Sequence, residues 1–403
     1  MCRFSLLFTL TLFILGCQSN DIQPASTLPE STPWDLKHLS SVPKFEWSTG
    51  SKIKSLYFEN LPYNGKTTKV FAYYATPGTL AGDPSMDKNL PAVVLVHGGG
   101  GMAFSKWVEL WASRGYAAIA MDLAGNGPDK KRIPDGGPGQ GHDMKFDQIE
   151  KPITEQWTYH AVANVIRAHS LVRSFPEVDP ERTAITGISW GGYTTCIVSG
   201  LDNRFKASVP VYGCGFLDEN SCWMPIFEKM SKENRSKWVK LWDPSQYTGS
   251  AAMPMLFVNG GQDFAYPPDS HSKTYGLVKT EKYLDFTPAL PHGHIFDKPM
   301  SVEVFIDSKL KGGAPLAKIG EVYSKGNQLV ASVDSKIKLV KAQLHYTLDK
   351  LPGDNRKRKW ISKPAKILDG RIVAEKAPAD ASIWFLTVID ERNSLVSSEL
   401  TFK

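Results

Sequence analysis

The chain has 403 residues, 42% hydrophobic and 22% charged, with a formal net charge of +6. At roughly 150 residues per domain this length accommodates two or three domains, and a mild positive charge without a dense Lys/Arg block argues against a nucleic-acid partner. The strongest basic cluster, "NRKRKW" at 355–360, reads as a solvated hairpin turn rather than a phosphate-binding patch.

In chain order, the first feature is "MCRFSLLFTLTLFILGCQSN". Arg3 supplies a positive start, and Leu6 to Leu15 form an apolar stretch short of the about 20 residues that a membrane span needs, which predicts a signal peptide over residues 1–16. The closing "ILGC" resembles a bacterial lipobox, which implies lipidation at Cys17, with Gln18 after it resembling an outer-membrane sorting signal. The protein is therefore expected to be exported, as an outer-membrane lipoprotein or in the periplasm, touching the membrane through the lipid alone. Residues 17–45, opening with the Ser/Thr/Pro-rich "SNDIQPASTLPESTP", are expected to be a tether.

Two strand-like runs, "KIKSLYFENLPY" and "KTTKVFAYYATP", flank Asn64-Gly65, a hairpin signal because both residues tolerate positive φ. From residue 90 the pattern changes. Continuous apolar runs ("PAVVLVHG", "YAAIAMD", "TAITGIS", "ASVPVYG", "PMLFVNG", "KYLDFTP") alternate with helical segments near 103–114, 155–174, 191–202, 268–279 and 299–311. Strands apolar on both faces require a parallel sheet covered by helices on two sides, so residues 46–316 are expected to form a doubly wound, mostly parallel α/β domain. Residues 317–403 alternate apolar and polar positions without a helical period, as in "VKAQLHYTLDK", and predict a small all-β, Ig-like sandwich.

The α/β region carries the chemistry. "GISWGG" puts Ser189 in a GxSxG pattern between a strand and a helix, where a tight turn can raise the hydroxyl above the sheet. "VLVHGGGG" ends an earlier strand, and Gly99 and Gly100, with Trp190, are candidate backbone donors to an oxyanion. His97 is expected to brace that loop and to border the substrate pocket. "GGQD" puts Asp263 just past a strand, and "PHGH" supplies His292 and His294 after the next one. This is the chain order of a Ser…Asp…His triad. His292 is the preferred base, with His294 as the alternative and otherwise a pocket residue. The stretch 123–146 is too rich in Gly and Pro for a helix and is expected to border the substrate. An insertion at about 214–250, carrying Trp223, Trp238 and Trp242, is the expected lid, with Trp223 in the pocket. Outside the leader, Cys196 reads as a buried hydrophobe, whereas a pairing of Cys214 with Cys222 cannot be decided from spacing. No CxxC or HExxH spacing points to a metal.

In order, "HGGGG", "DLAGNG", "GISWGG", "GGQD" and "PHGH" make residues 52–312 resemble the serine α/β-hydrolase superfamily, in the branch of acetyl xylan esterases, dienelactone-hydrolase-like proteins and the prolyl oligopeptidase catalytic domain. The chain departs from dienelactone hydrolases proper in having Ser189 where they have cysteine. It also lacks the tyrosine that one family of acetyl xylan esterases places soon after the HG. The resemblance implies an ester hydrolase without metal or organic cofactor, acting on a small-molecule or polysaccharide ester and removing acetyl or similar acyl groups from a carbohydrate. Two other readings stay open: an exported serine peptidase of the prolyl oligopeptidase kind, and a surface glycan-binding protein on an inactive scaffold.

Overall fold

The computed structural model describes residues 32–48 and 52–403. The expected signal peptide and Cys17 lie outside the described residues. A nine-stranded sheet carries the first part of the chain, built from β1 (Phe45–Trp47), β2 (Lys54–Tyr63), β3 (Lys66–Ala75), β4 (Leu90–Val96), β5 (Ala117–Met121), β6 (Val178–Ile188), β7 (Ala207–Val211), β8 (Met255–Gly260) and β9 (Lys282–Thr287). Its order is β1-β2-β3-β5-β4-β6-β7-β8-β9. The first three strands run antiparallel, with β2 and β3 joined through Asn64 and Gly65, both at positive φ. From β5 to β9 every pairing is parallel.

Every residue of β5, β7 and β8 is buried, as is all of β4 beyond Leu90, which is why these runs are apolar on both faces. The chain leaves β4 to one side for β5 and returns on the other side as β6. Loops at the carboxyl ends of β4 and β6 therefore diverge and leave a crevice at this switch point. Val96 at the end of β4 is in register with Gly187 near the end of β6, so the glycine loop and Ser189 meet there.

Helices Ser105–Ser113, Trp157–Val172, Trp190–Ser199, Pro268–Leu277 and Met300–Leu310 cover the sheet. All sixteen residues of Trp157–Val172 are buried, because the chain around Trp34 and Leu39 lies over its outer side. This corrects the expected tether: from Thr32 onward it is packed, with Trp34 at 4% exposure, its indole N–H donating to the Tyr159 carbonyl at 2.8 Å, and Leu39 fully buried.

A second, all-antiparallel sheet begins at Lys318. Its strands are β10 (Lys318–Ile319), β11 (Tyr323–Lys325), β12 (Gln328–Asp334), β13 (Leu339–Thr347), β14 (Ile361–Leu368), β15 (Arg371–Glu375), β16 (Ile383–Asp390), β17 (Leu395–Ser397) and β18 (Thr401–Phe402). They follow the path β10-β12-β15-β14-β13-β16-β17, with β11 on β12 and β18 on β16. β14 pairs with β13 over Ile361–Ala365 and with β15 over Lys366–Leu368, so one strand passes between two layers and closes them in a barrel-like way.

The "NRKRKW" turn connects β13 to β14, but it is not simply solvated. Arg358 is 2% exposed and donates to the Asp349 carbonyl at 2.6 Å, and the Trp360 indole N–H donates to the Gly261 carbonyl at 3.0 Å. The turn abuts the first sheet, which charge counting cannot reveal.

Candidate active site

Ser189 lies between the end of β6 and helix Trp190–Ser199, with φ +60° and ψ −120°. Such a conformation costs a non-glycine residue about 1–3 kcal/mol and persists only where its surroundings impose it. They do so here: the Ser189 amide donates to the Val211 carbonyl, and its carbonyl accepts from the Tyr193 amide, both at 2.8 Å. Gly191 is required by close approach, since a Cβ there would lie 2.0 Å from the Val96 carbonyl oxygen.

Asp263, Ser189 and His292 come together from three loops. Asp263 is 1% exposed; one of its carboxylate oxygens accepts from the Ala265 and Tyr266 amides, each at 2.8 Å. The other lies 2.6 Å from His292 Nδ1, and His292 Nε2 lies 2.9 Å from Ser189 Oγ. With Nδ1 protonated toward the carboxylate, Nε2 is free to accept the serine proton. The imidazole is walled by Tyr212 and by Phe264, with ring centres 4.8 and 4.7 Å away.

His294 is held differently. Its Nε2 accepts from the Gly98 amide at 2.9 Å, and burial pushes its pKa down to about 4, so it is a neutral acceptor at pH 7. His97 is 1% exposed; its Nδ1 donates to the Gly98 carbonyl at 2.8 Å and its Nε2 accepts from the Leu123 amide at 2.9 Å, with burial again lowering the pKa to about 4. Both ring nitrogens being engaged, His97 ties the glycine loop to the chain after β5. This corrects its expected place in the substrate pocket: it does not line the cavity, because the loop it carries lies between.

Ser189 and His292 open onto a cavity of about 430 Å³, also lined by Gly99, Gly100, Trp190, Trp223 and His294. The Gly98 amide is engaged by His294, which leaves the amides of Gly99 and Gly100 on this loop, with that of Trp190, as the candidate donors to an oxyanion; the Gly100 carbonyl accepts from Lys130 at 2.6 Å. Trp223, from the insertion, packs against Trp190 at 4.7 Å between ring centres. Trp238 and Trp242 lie beneath as core, their indoles donating to the Lys145 carbonyl and to Gln156 Oε1. The stretch 123–146 contributes Gln140, His142 and Lys145 to the wall. Sequence reasoning singled out that stretch but not those residues, because polar positions in a Gly/Pro-rich loop carry no periodic signal. Cys196 and Cys214 are buried and Cys222 is exposed at the cavity, all three as free thiols. Among the described residues no His/Cys/Asp/Glu cluster could hold a metal ion.

The acetyl xylan esterase (AXE1) family model matches residues 38–266, more than half of the chain, and the model of the PhoPQ-activated pathogenicity-related protein matches residues 224–350. The fold is similar to that of acetyl xylan esterase 1 from Thermoanaerobacterium sp. JW/SL YS485 (TM-score 0.54, 18% identity, 70% of this chain and 95% of that one). It is similar also to the acetyl xylan esterase from Paenibacillus sp. R4 (TM-score 0.54, 20% identity, 68% and 92%). Among curated proteins, the uncharacterized peptidase YuxL of Bacillus subtilis (strain 168) is 22% identical over 204 residues, 47% of this chain and 28% of that protein. The quorum-quenching protein AidA of Acinetobacter baumannii (strain MDR-ZJ06) is 28% identical over 146 residues, 36% and 41%. The chain thus spans less than half the length of the curated relatives it matches. The extent of the family match, on an α/β-hydrolase fold, shows that this chain belongs to the acetyl xylan esterase family.

Proposed function

We propose that the protein hydrolyses carboxylic esters, removing acetyl or similar acyl groups from a saccharide, through Ser189, His292 and Asp263. One observation carries the reading: a single imidazole, that of His292, bridges a buried carboxylate at 2.6 Å and the hydroxyl of a strained serine at 2.9 Å, at the mouth of a cavity. Ser189 Oγ attacks the ester carbonyl while His292 Nε2 takes its proton. Asp263 holds the imidazole tautomer and stabilises the imidazolium. The tetrahedral oxyanion is met by the amides of Trp190 and of Gly99 or Gly100, each such donor being worth about 10²- to 10³-fold in rate. His292 then protonates the departing alcohol oxygen as the C–O bond breaks. A water, deprotonated by His292, attacks the acyl-serine; collapse releases the acid and restores Ser189. A saccharide is favoured as the alcohol by the family and by the indole and phenyl faces of Trp223 and Phe264 at the cavity.

Acetate release from acetylated polysaccharides and from an aryl acetate, compared between the protein and Ser189→Ala, tests the reading. Release lost in the variant supports it and ranks substrates. Two folded proteins that release no acetate refute it, and amide cleavage in its place would favour a peptidase. Export with a lipid on Cys17 belongs to the same proposal, and fatty-acid labelling that survives Cys17→Ala would refute that part.

A further inference from the structure

The cavity holds a cation that ester hydrolysis does not use. Lys145 lines it at 5% exposure. Its Nζ donates to the carbonyl oxygens of Gly141 at 2.8 Å and Gln140 at 3.3 Å, and it lies 5.0 Å from the centre of the Trp190 ring and 5.4 Å from that of Trp157. Among the described residues no carboxylate lies within ion-pair distance of it, and Asp143, two residues away, attracts it only from farther off. The ammonium has three protons and two carbonyl partners. Two indole faces and the more distant Asp143 carboxylate add favourable electrostatics, yet a buried cation without a counter-charge in contact is costly and uncommon.

A second observation is independent of the first. The side-chain amide of Gln140, which lines the same cavity, has neither its Oε1 nor its Nε2 paired, although both atoms are buried. Buried amides are ordinarily satisfied, so an unpartnered donor lining the same cavity as a cation with no counter-charge in contact points to a ligand that accepts from both. The segment is also anchored: the Lys145 carbonyl accepts from the Trp238 indole at 2.8 Å, and the next residue, Phe146, stacks on the same ring. Burial lowers the Lys145 pKa to about 8, which leaves it protonated at pH 7.

We propose that Lys145 and Gln140 form an anion subsite of the active-site cavity, so that the preferred ester carries a carboxylate on the group seated beside Trp190. The inference rests on the esterase reading of Ser189. A carboxylate presents two oxygens, one to the ammonium and one to the Nε2 amide hydrogens. Uronic-acid-bearing saccharides and dicarboxylic half-esters share this chemistry, the former placing the charge on the alcohol and the latter on the acyl group.

The test is kinetic and uses the full chain. Two matched pairs are compared: 4-nitrophenyl butyrate with mono-4-nitrophenyl succinate, charged on the acyl side, and phenyl acetate with 4-acetoxybenzoate, charged on the alcohol side. In one pair the charged member is expected to have the higher kcat/KM, and Lys145→Gln to reduce the charged-to-neutral ratio by about ten-fold or more. Gln140→Leu reduces the same ratio and serves if Lys145→Gln does not fold. A lysine that only pins its loop would lower both rates together and leave the ratio unmoved. An unmoved ratio, or wild-type preference for the neutral member of both pairs, overturns the subsite while leaving the esterase standing. If no ester is cleaved, the esterase reading fails, and the subsite is judged by monomethyl succinate quenching tryptophan fluorescence. Saturable quenching absent with dimethyl succinate and lost in Lys145→Gln supports the subsite, and its absence overturns it.

Discussion

His294 is bound to Gly98, its Nε2 accepting the Gly98 amide at 2.9 Å, while His292, two residues earlier, lies against Ser189. Proton transfer requires reach to the hydroxyl, and only His292 has it, so His294 is read as fixing the glycine loop that presents the Gly99 and Gly100 amides. Replacing His292 by alanine is expected to lower kcat by roughly 10⁴-fold or more. His294→Ala misplaces the loop without removing the base and is expected to cost roughly 10- to 100-fold. Acetate release by the two variants checks the order; equal losses would mean that both imidazoles move the proton.

The acid loop is braced from the second sheet. The Trp360 indole donates to the Gly261 carbonyl two residues before Asp263, and the Gln262 side chain donates to the Arg358 carbonyl at 3.0 Å. Contact is so close that a Cβ on Gly261 would lie 2.3 Å from Trp360 Nε1. Trp360→Ala is therefore expected to lower kcat with little change in KM, by roughly 10-fold or more, because the acid is displaced rather than the substrate site. Deletion from residue 318 should abolish esterase activity, not merely a binding function. A deletion protein of full activity would overturn the brace.

These two sites show what was legible in the chain. "GISWGG", "GGQD" and "PHGH" mark Ser189, Asp263 and the histidine pair because the chemistry fixes residue types at strand ends, and the apolar runs mark the parallel strands because burial on both faces fixes composition. The sequence prefers His292 without excluding His294, because which ring meets the Gly98 amide is decided across the fold. Trp34, Trp360 and Arg358 are silent. Each lies in a polar or charged stretch whose composition suggests solvent, and only long-range packing buries it, Trp360 in part. Gln140 and Lys145 fall in the same class, since a loop without period gives no sign of which side chains turn inward.

Acid should destabilise the protein well above the usual carboxylate range. Burial lowers the pKa values of His97, His160, His169, His294 and His345 to about 4, and that of His271 to about 3. Unfolded, these imidazoles titrate near 6.5. Between pH 6.5 and 4 the unfolded chain therefore binds the more protons at these six positions, and stability falls as pH falls. Burial raises Asp122 and Asp285 to about 6 and also raises Asp243, so there the native state binds protons first and opposes the trend, but at three positions against six. The urea midpoint is expected to be lower at pH 5 than at pH 7, and an equal or higher midpoint would mean that the imidazoles are protonated inside the fold.

A second Asp–His–hydroxyl series lies in the protein and should do no chemistry. His169 Nδ1 is 2.7 Å from Asp202 Oδ2 and its Nε2 is 2.9 Å from Thr183 Oγ1, the same connectivity as around His292. What differs is access: His169 and Thr183 are fully buried, and Phe205 stacks on the imidazole with ring centres 3.5 Å apart. No ester can approach the Thr183 hydroxyl. The carboxylate is shared with Arg204, whose Nη2 lies 2.6 Å from Asp202 Oδ2, so the group works as a buried tie between helix Trp157–Val172 and β6. His169→Leu strands part of that hydrogen-bonding capacity and is expected to cost about 2–4 kcal/mol in urea unfolding. Its kcat/KM per folded molecule should stay within about two-fold of the wild type, as expected for a substitution whose effects do not reach the reacting atoms. Lost activity with an unchanged unfolding curve would show that connectivity, not access, decides which of the two series is catalytic.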